Sequence, residues 1–226
     1  MSDSLAVVIS AAGLGSRLDY GMPKCLVPVC GQPLIFWQLT ALRQIDPEIE
    51  VVVVAGFQSS RVAGYLRQFF PTVPVMLNHR FRSTGTAGSL VLGAGILETE
   101  WVLSLDGDLL LDRPSLNEWV NGHGAQLGVS PKTTRTPVGV ALDENAAVVG
   151  MGFDIEGDLE WNGLIRLPRS VVLDFNDQHV FPNLLKHLPL PALLSETVEI
   201  DDPDDLDRAE VWLRGRIDEE RGRWTS

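Results

Sequence analysis

Apolar positions along the chain follow two rhythms that alternate. Leu5–Ser10 is a short β-branched, apolar run ending in Ala11-Ala12-Gly13, which reads as a buried strand entering a turn. Val51–Val54 is an unbroken block of valines closed by Ala55-Gly56, the continuous pattern of a strand covered on both faces. Between them Leu34, Trp37, Leu39, Leu42 and Ile45 recur at roughly helical spacing, and Pro33 suits a helix's first turn. The spacing goes on to predict a helix near Ser60–Phe70, a strand at Val75–Leu77, a helix near Ala87–Leu97 and a strand at Trp101–Leu105. Strands and helices in this order predict a parallel sheet.

Beyond Pro114 the rhythm changes. Val138–Leu142 and Ala146–Gly150 flank Asp143-Glu144-Asn145 and predict a hairpin, with a further strand at Leu164–Leu167, so the second half is expected to form a smaller lobe. Asp202-Pro203 opens a last helix, with a side-chain cap and Pro at its first position, running to about Glu220. A chain of 226 residues closes a single core, so one domain over 1–226 is expected.

Composition narrows the chemistry. With 45% apolar and 21% charged residues the chain is of globular type. A formal charge of -12 argues against a broad nucleic-acid surface, which needs clustered Lys and Arg to displace counterions. Any polyphosphate must then be held by a few basic side chains and by backbone N–H groups. Met1–Leu5 lacks a basic leader before an apolar stretch, and no apolar run approaches the roughly 18 residues of a membrane span, so a cytoplasmic protein with no membrane partner is expected. Cys25 and Cys30 have no second Cys/His cluster to complete a zinc site and read as reduced structural thiols, and the four scattered His give zinc hydrolysis no support.

Ala11-Ala12-Gly13-Leu14-Gly15-Ser16-Arg17 follows the first strand, where glycines let backbone amides approach an anion. The loop is not a dinucleotide fingerprint, because no third Gly stands near Leu18 and the second strand ends Ala55-Gly56-Phe57-Gln58 without an acid. Nor is it a P-loop, since the chain contains no Gly-Lys pair. Its distinguishing residues are Arg17 and, further on, Pro23-Lys24 and Gly31-Gln32-Pro33.

In that combination the chain resembles the sugar-nucleotidyltransferase superfamily, nearest its phosphocholine cytidylyltransferase-like members. The resemblance implies an α/β, Rossmann-like three-layer fold with a predominantly parallel mixed sheet and a small acceptor-side lobe. It also implies transfer of NMP from an NTP to a small phosphorylated acceptor, with release of pyrophosphate and Mg²⁺ as cofactor. Arg17 would fork onto terminal phosphates, and Lys24 would place a point charge at the α-phosphate. Ala11, Ala12, Gly13, Gly15 and Ser16 would supply the backbone cradle.

Three further segments extend the resemblance. Leu103-Ser104-Leu105-Asp106-Gly107-Asp108 delivers carboxylates to the C-terminal end of a strand, the edge where open α/β sheets bind ligands. The resemblance makes Asp108 a metal ligand suited to hard Mg²⁺, while Asp106 either supports the site through water or solvates a turn. Thr197-Val198-Glu199-Ile200-Asp201 resembles the family's late acidic segment, and alternation puts Glu199 and Asp201 on one strand face. Metal ligation is the reading for Asp201 and Glu199, and helix capping for Asp202. Asn78, Phe81, Thr84, Ser89 and Leu90 follow a cytidylyl-type frame, whereas Gly85-Thr86-Ala87 resembles the base-and-ribose segment of uridylyl- and thymidylyl-transferring relatives. CTP or UTP is therefore the expected nucleotide.

The resemblance fades toward the acceptor. Glu160-Trp161 looks like an acceptor segment, with a buried strand carrying a packed Trp as the alternative. The family's lysine after the hairpin is missing from Gly152-Phe153-Asp154, so Lys132, Arg135 or Arg166 would have to meet the acceptor phosphate. Phosphocholine-like molecules, phosphonates and sugar 1-phosphates stay open as acceptors, and so does the oligomeric state, a homo-oligomer included. A glycosyltransferase using Asp106-Gly107-Asp108 is the rival enzyme, and a nucleotide-sensing subunit without turnover is the rival outside catalysis.

Overall fold

The computed structural model describes residues 4–15, 18 and 20–224, the last seven of these for backbone only. The first half runs β1 (Leu5–Ala11), β2 (Pro28–Val29), β3 (Gln32–Pro33), α1 (Leu34–Ile45), β4 (Glu50–Ala55), α2 (Ser59–Phe69), β5 (Val75–Leu77), α3 (Thr86–Gly95), β6 (Trp101–Asp106) and β7 (Leu109–Leu111). The second runs α4 (Arg113–Asn121), β8 (Gln126–Pro131), β9 (Gly139–Leu142), β10 (Ala147–Gly152), β11 (Leu159–Pro168), α5 (Arg169–Leu173), α6 (Val180–Leu184), β12 (Leu190–Leu194), β13 (Thr197–Glu199) and α7 (Pro203–Trp224).

Nine strands form one sheet in the order β5-β4-β1-β6-β11-β8-β12-β10-β9. Only β11 and β10 run against the others, so the sheet is mixed but predominantly parallel. The hairpin read from the sequence is β9–β10, and β8 to β12 continue the main sheet rather than starting another.

Successive residues of the central strands pack on opposite faces. Ala6 and Val8 of β1 and Val52 and Val54 of β4 join a core closed by α3, α5 and α6. Val7 and Ile9, with Val51 and Val53, join a second core closed by α1, α2 and α4. This two-faced burial explains why the strands read as continuous apolar runs, and it gives the three-layer Rossmann-like arrangement. A third cluster, Val27, Val29, Leu34, Leu110, Ile200 and Leu206 among it, packs α7 onto the β2–β3 hairpin and the two-stranded β7–β13 ribbon.

Chain order positions the site. From β1 the chain steps outward to β4 and β5, then returns to β6 on the other side of β1. The sheet's topological switch point thus lies between β1 and β6, where ligands bind in open α/β sheets. Among the described residues no helix is long and apolar enough to cross a membrane.

Candidate active site

β1 ends at Ala11, and the chain turns through Ala12–Gly15. Gly15 has φ +61°, and a Cβ there would stand 2.8 Å from Lys24 Cγ, so the glycine both makes the turn and lets the lysine pass over it. The Ala12 carbonyl accepts from the Phe57 N–H at 3.1 Å, which fixes the loop against the end of β4. Ser10, Ala11, Gly13, Gly15, Lys24 and Asp108 are among the residues around a small cavity of about 90 Å³. Ser16 and Arg17 lie outside the described residues. Cys25, next to Lys24, is buried, and burial followed by the charge of Asp108 pushes its thiol up to about 12, which makes it an inert structural residue as expected.

The acidic turn follows β6. The Gly107 N–H donates to the Ser10 carbonyl at 2.9 Å, and a Cβ on Gly107 would lie 3.0 Å from Ala11 Cβ, so this glycine lets the turn close onto β1. The Ile200 N–H donates to the Asp108 carbonyl at 3.0 Å, and Leu109 pairs with Glu199 across the β7–β13 ribbon. Carboxylate oxygens of Asp108, Glu199 and Asp201 consequently lie within 4.8 Å of one another. Lys24 Nζ donates to Asp108 Oδ2 at 2.9 Å and also to Asp201 Oδ1.

Capping of the last helix falls to Asp202 and Asp205. Asp202 Oδ1 accepts from the Asp205 N–H, while Asp205 Oδ2 accepts from the Asp201 and Asp202 N–H groups, a reciprocal cap at the start of α7. Asp202 therefore caps the helix, as read from the sequence.

Crowded acids shape the electrostatics. Burial and then Asp108 push Asp106 up to about 7, with Lys24 pulling the other way. Glu199 reaches the solvent-facing rim, yet its packed surroundings and the carboxylates of Asp108, Asp201 and Asp106 push it up to about 8. Burial works against the Lys24 ammonium, but Asp108 and Asp201 outweigh it and hold the pKa above the ordinary lysine value. The three carboxylates offer a set of hard oxygen donors, and their chemistry fits a divalent cation such as Mg²⁺.

On the other side of Asp108 opens a cavity of about 510 Å³, walled by Thr133–Thr136, Trp161, Gly163, Glu199 and Asp201 with Arg135 and Arg208. Trp161 lines it as expected, its indole N–H held by the Leu164 carbonyl at 3.1 Å. Glu160 differs from the expectation of a substrate contact. It is buried, and its carboxylate accepts from the Thr133 and Thr134 N–H groups and both hydroxyls, so it anchors the 133–134 loop instead of facing the cavity.

Of the cations considered for the acceptor phosphate, only Arg135 lines the cavity, where it pairs with Asp202 at 2.7 Å. Arg166 is buried against the end of α4, donating to the Trp119 and Gly122 carbonyls, and Lys132 donates to the Ile155 carbonyl. Sequence reasoning missed Arg208 and Trp212, which α7 brings to the cavity from a long polar helix with no local signal of a site.

The segment assigned to the base is also differently engaged. Asn78 is buried, donating to Thr84 Oγ1 and Ser89 Oγ and accepting from the Arg80 N–H, so it braces the loop between β5 and α3. The Gly85 and Ala87 N–H groups donate to the Asp177 and Gln178 carbonyls, and Thr86 Oγ1 accepts from the Val180 N–H. A Cβ on Gly85 would lie 2.3 Å from Gln178 backbone atoms. Residues 177–180 thus pack on Gly85-Thr86-Ala87 and take up the Gly85 and Ala87 N–H groups, which differs from the base-and-ribose contact that the resemblance implies.

Glycine loop, lysine and acidic cluster thus gather at the switch point of the sheet. Residues 7–144 match the MobA-like NTP transferase domain. The chain belongs to that family. The bifunctional protein GlmU of Thermoanaerobacter pseudethanolicus is 32% identical over 123 residues, 54% of this chain and 26% of that protein. The match thus spans about a quarter of the length of the curated relatives. Among solved structures, the CTP:phosphocholine cytidylyltransferase LicC of Streptococcus pneumoniae superposes with a TM-score of 0.78 at 20% identity, covering 93% of this chain and 99% of that one. The inositol-1-phosphate CTP transferase of T. maritima gives 0.74 at 19% identity, over 91% of this chain and 92% of that one. These likenesses identify the fold of this NTP transferase family member.

Proposed function

We propose that this NTP transferase family member moves a nucleoside monophosphate from an NTP onto a small phosphorylated acceptor and releases pyrophosphate. The observation that carries the reading is the place of Asp108. It borders both the small glycine-loop cavity and the larger one beside Trp161, and it holds Lys24, which lines the small one. A phosphate bound on the loop and a second phosphate in the larger cavity would meet at that lysine.

In the proposed reaction an acceptor phosphate oxygen attacks the α-phosphorus in line, forming a phosphoanhydride bond as the bond to pyrophosphate breaks. No proton transfer is needed, because a phosphomonoester with second pKa of about 6 is already ionised at neutral pH. Lys24 positions the α-phosphate and meets the charge that develops there, Arg17 is assigned to the terminal phosphates, and the backbone of Ala11–Gly15 cradles them. Asp108, Asp201 and Glu199 would hold Mg²⁺, which supplies charge neutralisation to the phosphates.

The proposed nucleotide is a pyrimidine triphosphate, CTP before UTP. Since the Gly85 and Ala87 N–H groups are engaged, support comes from the two similar structures whose names specify CTP and from the cytidylyl-type frame of Asn78, Thr84 and Ser89, which here braces one loop. The test is a pyrophosphate-release screen of the four NTPs against phosphorylated alcohols, phosphonates and sugar 1-phosphates, with product masses measured. A nucleotidyl product from CTP or UTP is expected. Dominant use of GTP or ATP overturns the base assignment, and sugar transfer without pyrophosphate overturns the reaction.

A further inference from the structure

One buried polar side chain reaches the acidic turn from behind. Gln38 stands on α1 between Leu34 and Leu42, four residues from each, and it is 4% exposed. Its Nε2 donates to the Asp106 carbonyl at 2.8 Å and to the Leu109 carbonyl at 2.7 Å. Both partners are acceptors only, so the amide nitrogen must be the atom that faces them. Its Oε1 has no hydrogen-bond partner among the described residues. The amide's bonding therefore goes into closing the two ends of Asp106-Gly107-Asp108-Leu109.

We infer that Gln38 is a positioning residue for the carboxylate cluster, fixing Asp108 against Glu199 and Asp201. The path is short. Leu109, bonded through its carbonyl to Gln38, is the register partner of Glu199, and the Asp108 carbonyl within the same turn accepts from Ile200, one residue before Asp201. Gly107, in the middle of the turn, tolerates many backbone conformations, so bonds from outside the turn select one, and Gln38 adds two of them to those from Gly107 to Ser10 and from Ile200 to Asp108. In the fold α1 itself is seated by Leu34, Ile35, Leu39 and Leu42, all fully buried, which makes it a rigid base for that clamp. The inference rests on the reading of Asp108, Glu199 and Asp201 as cation ligands.

The test measures Mn²⁺ binding to the full chain by the loss of the free-ion EPR signal, without nucleotide, for wild type, Gln38→Met and Gln38→Asn. Met keeps the volume and removes both donors, while Asn keeps the amide but falls one methylene short. Each variant is expected to bind Mn²⁺ more weakly by on the order of tenfold, as supporting partners of ligating carboxylates typically do. In turnover assays the Mg²⁺ concentration for half-maximal rate should rise by a similar factor, with kcat at saturating Mg²⁺ within about twofold of wild type. Thermal melts of both variants in EDTA verify folding, and either variant alone suffices for the comparison.

Mn²⁺ affinity equal to wild type in a folded variant overturns the inference, as does a rate loss that saturating Mg²⁺ does not restore. If wild type binds Mn²⁺ in a Gln38-dependent way but turns over no NTP, the proposed reaction fails while this inference stands. If wild type binds no Mn²⁺, the inference fails with the ligand assignment beneath it.

Discussion

Lys24 Nζ and Asp108 Oδ2 stand 2.9 Å apart although 84 positions separate them in the sequence. That contact joins the loop after β1 to the turn after β6 across the switch point of the sheet, and Asp201 closes it from a third element. A lysine held between two carboxylates has its charge fixed in place before any phosphate arrives, so it costs little reorganisation when negative charge moves at the α-phosphate. Lys24→Ala should lower kcat by on the order of 10²–10³-fold and raise the NTP KM much less. Steady-state kinetics would decide, and a variant that keeps kcat while losing NTP affinity would show that Lys24 binds substrate without acting on the reacting centre.

The acids around that lysine predict a pH-dependent response to metal. Asp106 and Glu199 titrate at about 7 and about 8 in the fold, against ordinary values of 3.8 and 4.5. From about pH 4 to 8 these two groups therefore bind more protons in the folded chain than in the unfolded one, so their contribution to stability without metal declines as pH rises through that window. Mg²⁺ competes with those protons, and the Tm gain from adding it should be larger near pH 8.5 than near pH 6. Melts with Mg²⁺ and with EDTA at both values test this, together with Asp108→Asn, which should abolish most of the gain and most turnover. An equal gain at both pH values, or full activity in EDTA, would remove the metal from the acidic cluster.

Legibility of the sequence followed the range of each interaction. Val51–Val54 and the Leu34–Leu42 stripe were readable because burial on a regular element imposes its period locally. β11 was read as Leu164–Leu167 although it spans Leu159–Pro168, since Glu160, Asn162 and Gly163 break its apolar pattern. Glu160 was legible as a special residue but not as an anchor, because its partners Thr133 and Thr134 lie 27 and 26 positions away. The same holds for Gly85, whose smallness answers to Gln178 in a distant segment. Gln38 did leave a local trace, a polar residue on the buried stripe between Leu34 and Leu42, yet its partners across the β6–β7 turn gave that trace no meaning in one dimension.

Gly15 carries two constraints that a single methyl group would violate. Its φ of +61° is left-handed, which for a non-glycine residue costs about 1–3 kcal/mol, and the added Cβ would press on Lys24 Cγ at 2.8 Å. Gly15→Ala should therefore cut kcat through Lys24 while lowering Tm only modestly, because the loop lies at the sheet edge and outside the cores. Kinetics alongside thermal melts separate the two effects. A variant with full kcat would mean that the lysine is not held by its passage over this glycine.

The buried Glu160 carboxylate offers a way to address the acceptor side alone. It gathers the N–H groups of Thr133 at 2.7 Å and Thr134 at 3.1 Å together with both hydroxyls, and so it shapes the loop that carries Arg135 to the cavity wall. Glu160→Gln keeps the volume but turns one acceptor into a donor aimed at donors, which leaves the loop short of partners at a cost of about 1–3 kcal/mol. Among the described residues no hydrogen bond joins the Glu160 carboxylate to Lys24 or to the Ala11–Gly15 loop, so the effect should stay on one substrate. The acceptor KM is expected to rise by on the order of tenfold, equivalent to about 1.4 kcal/mol, with the NTP KM within about twofold of wild type. Bisubstrate kinetics with CTP and the best acceptor from the pyrophosphate screen measure both constants. An NTP KM that rises while the acceptor KM stays put would mean that the larger cavity receives the nucleotide, and the two cavities would have to exchange roles.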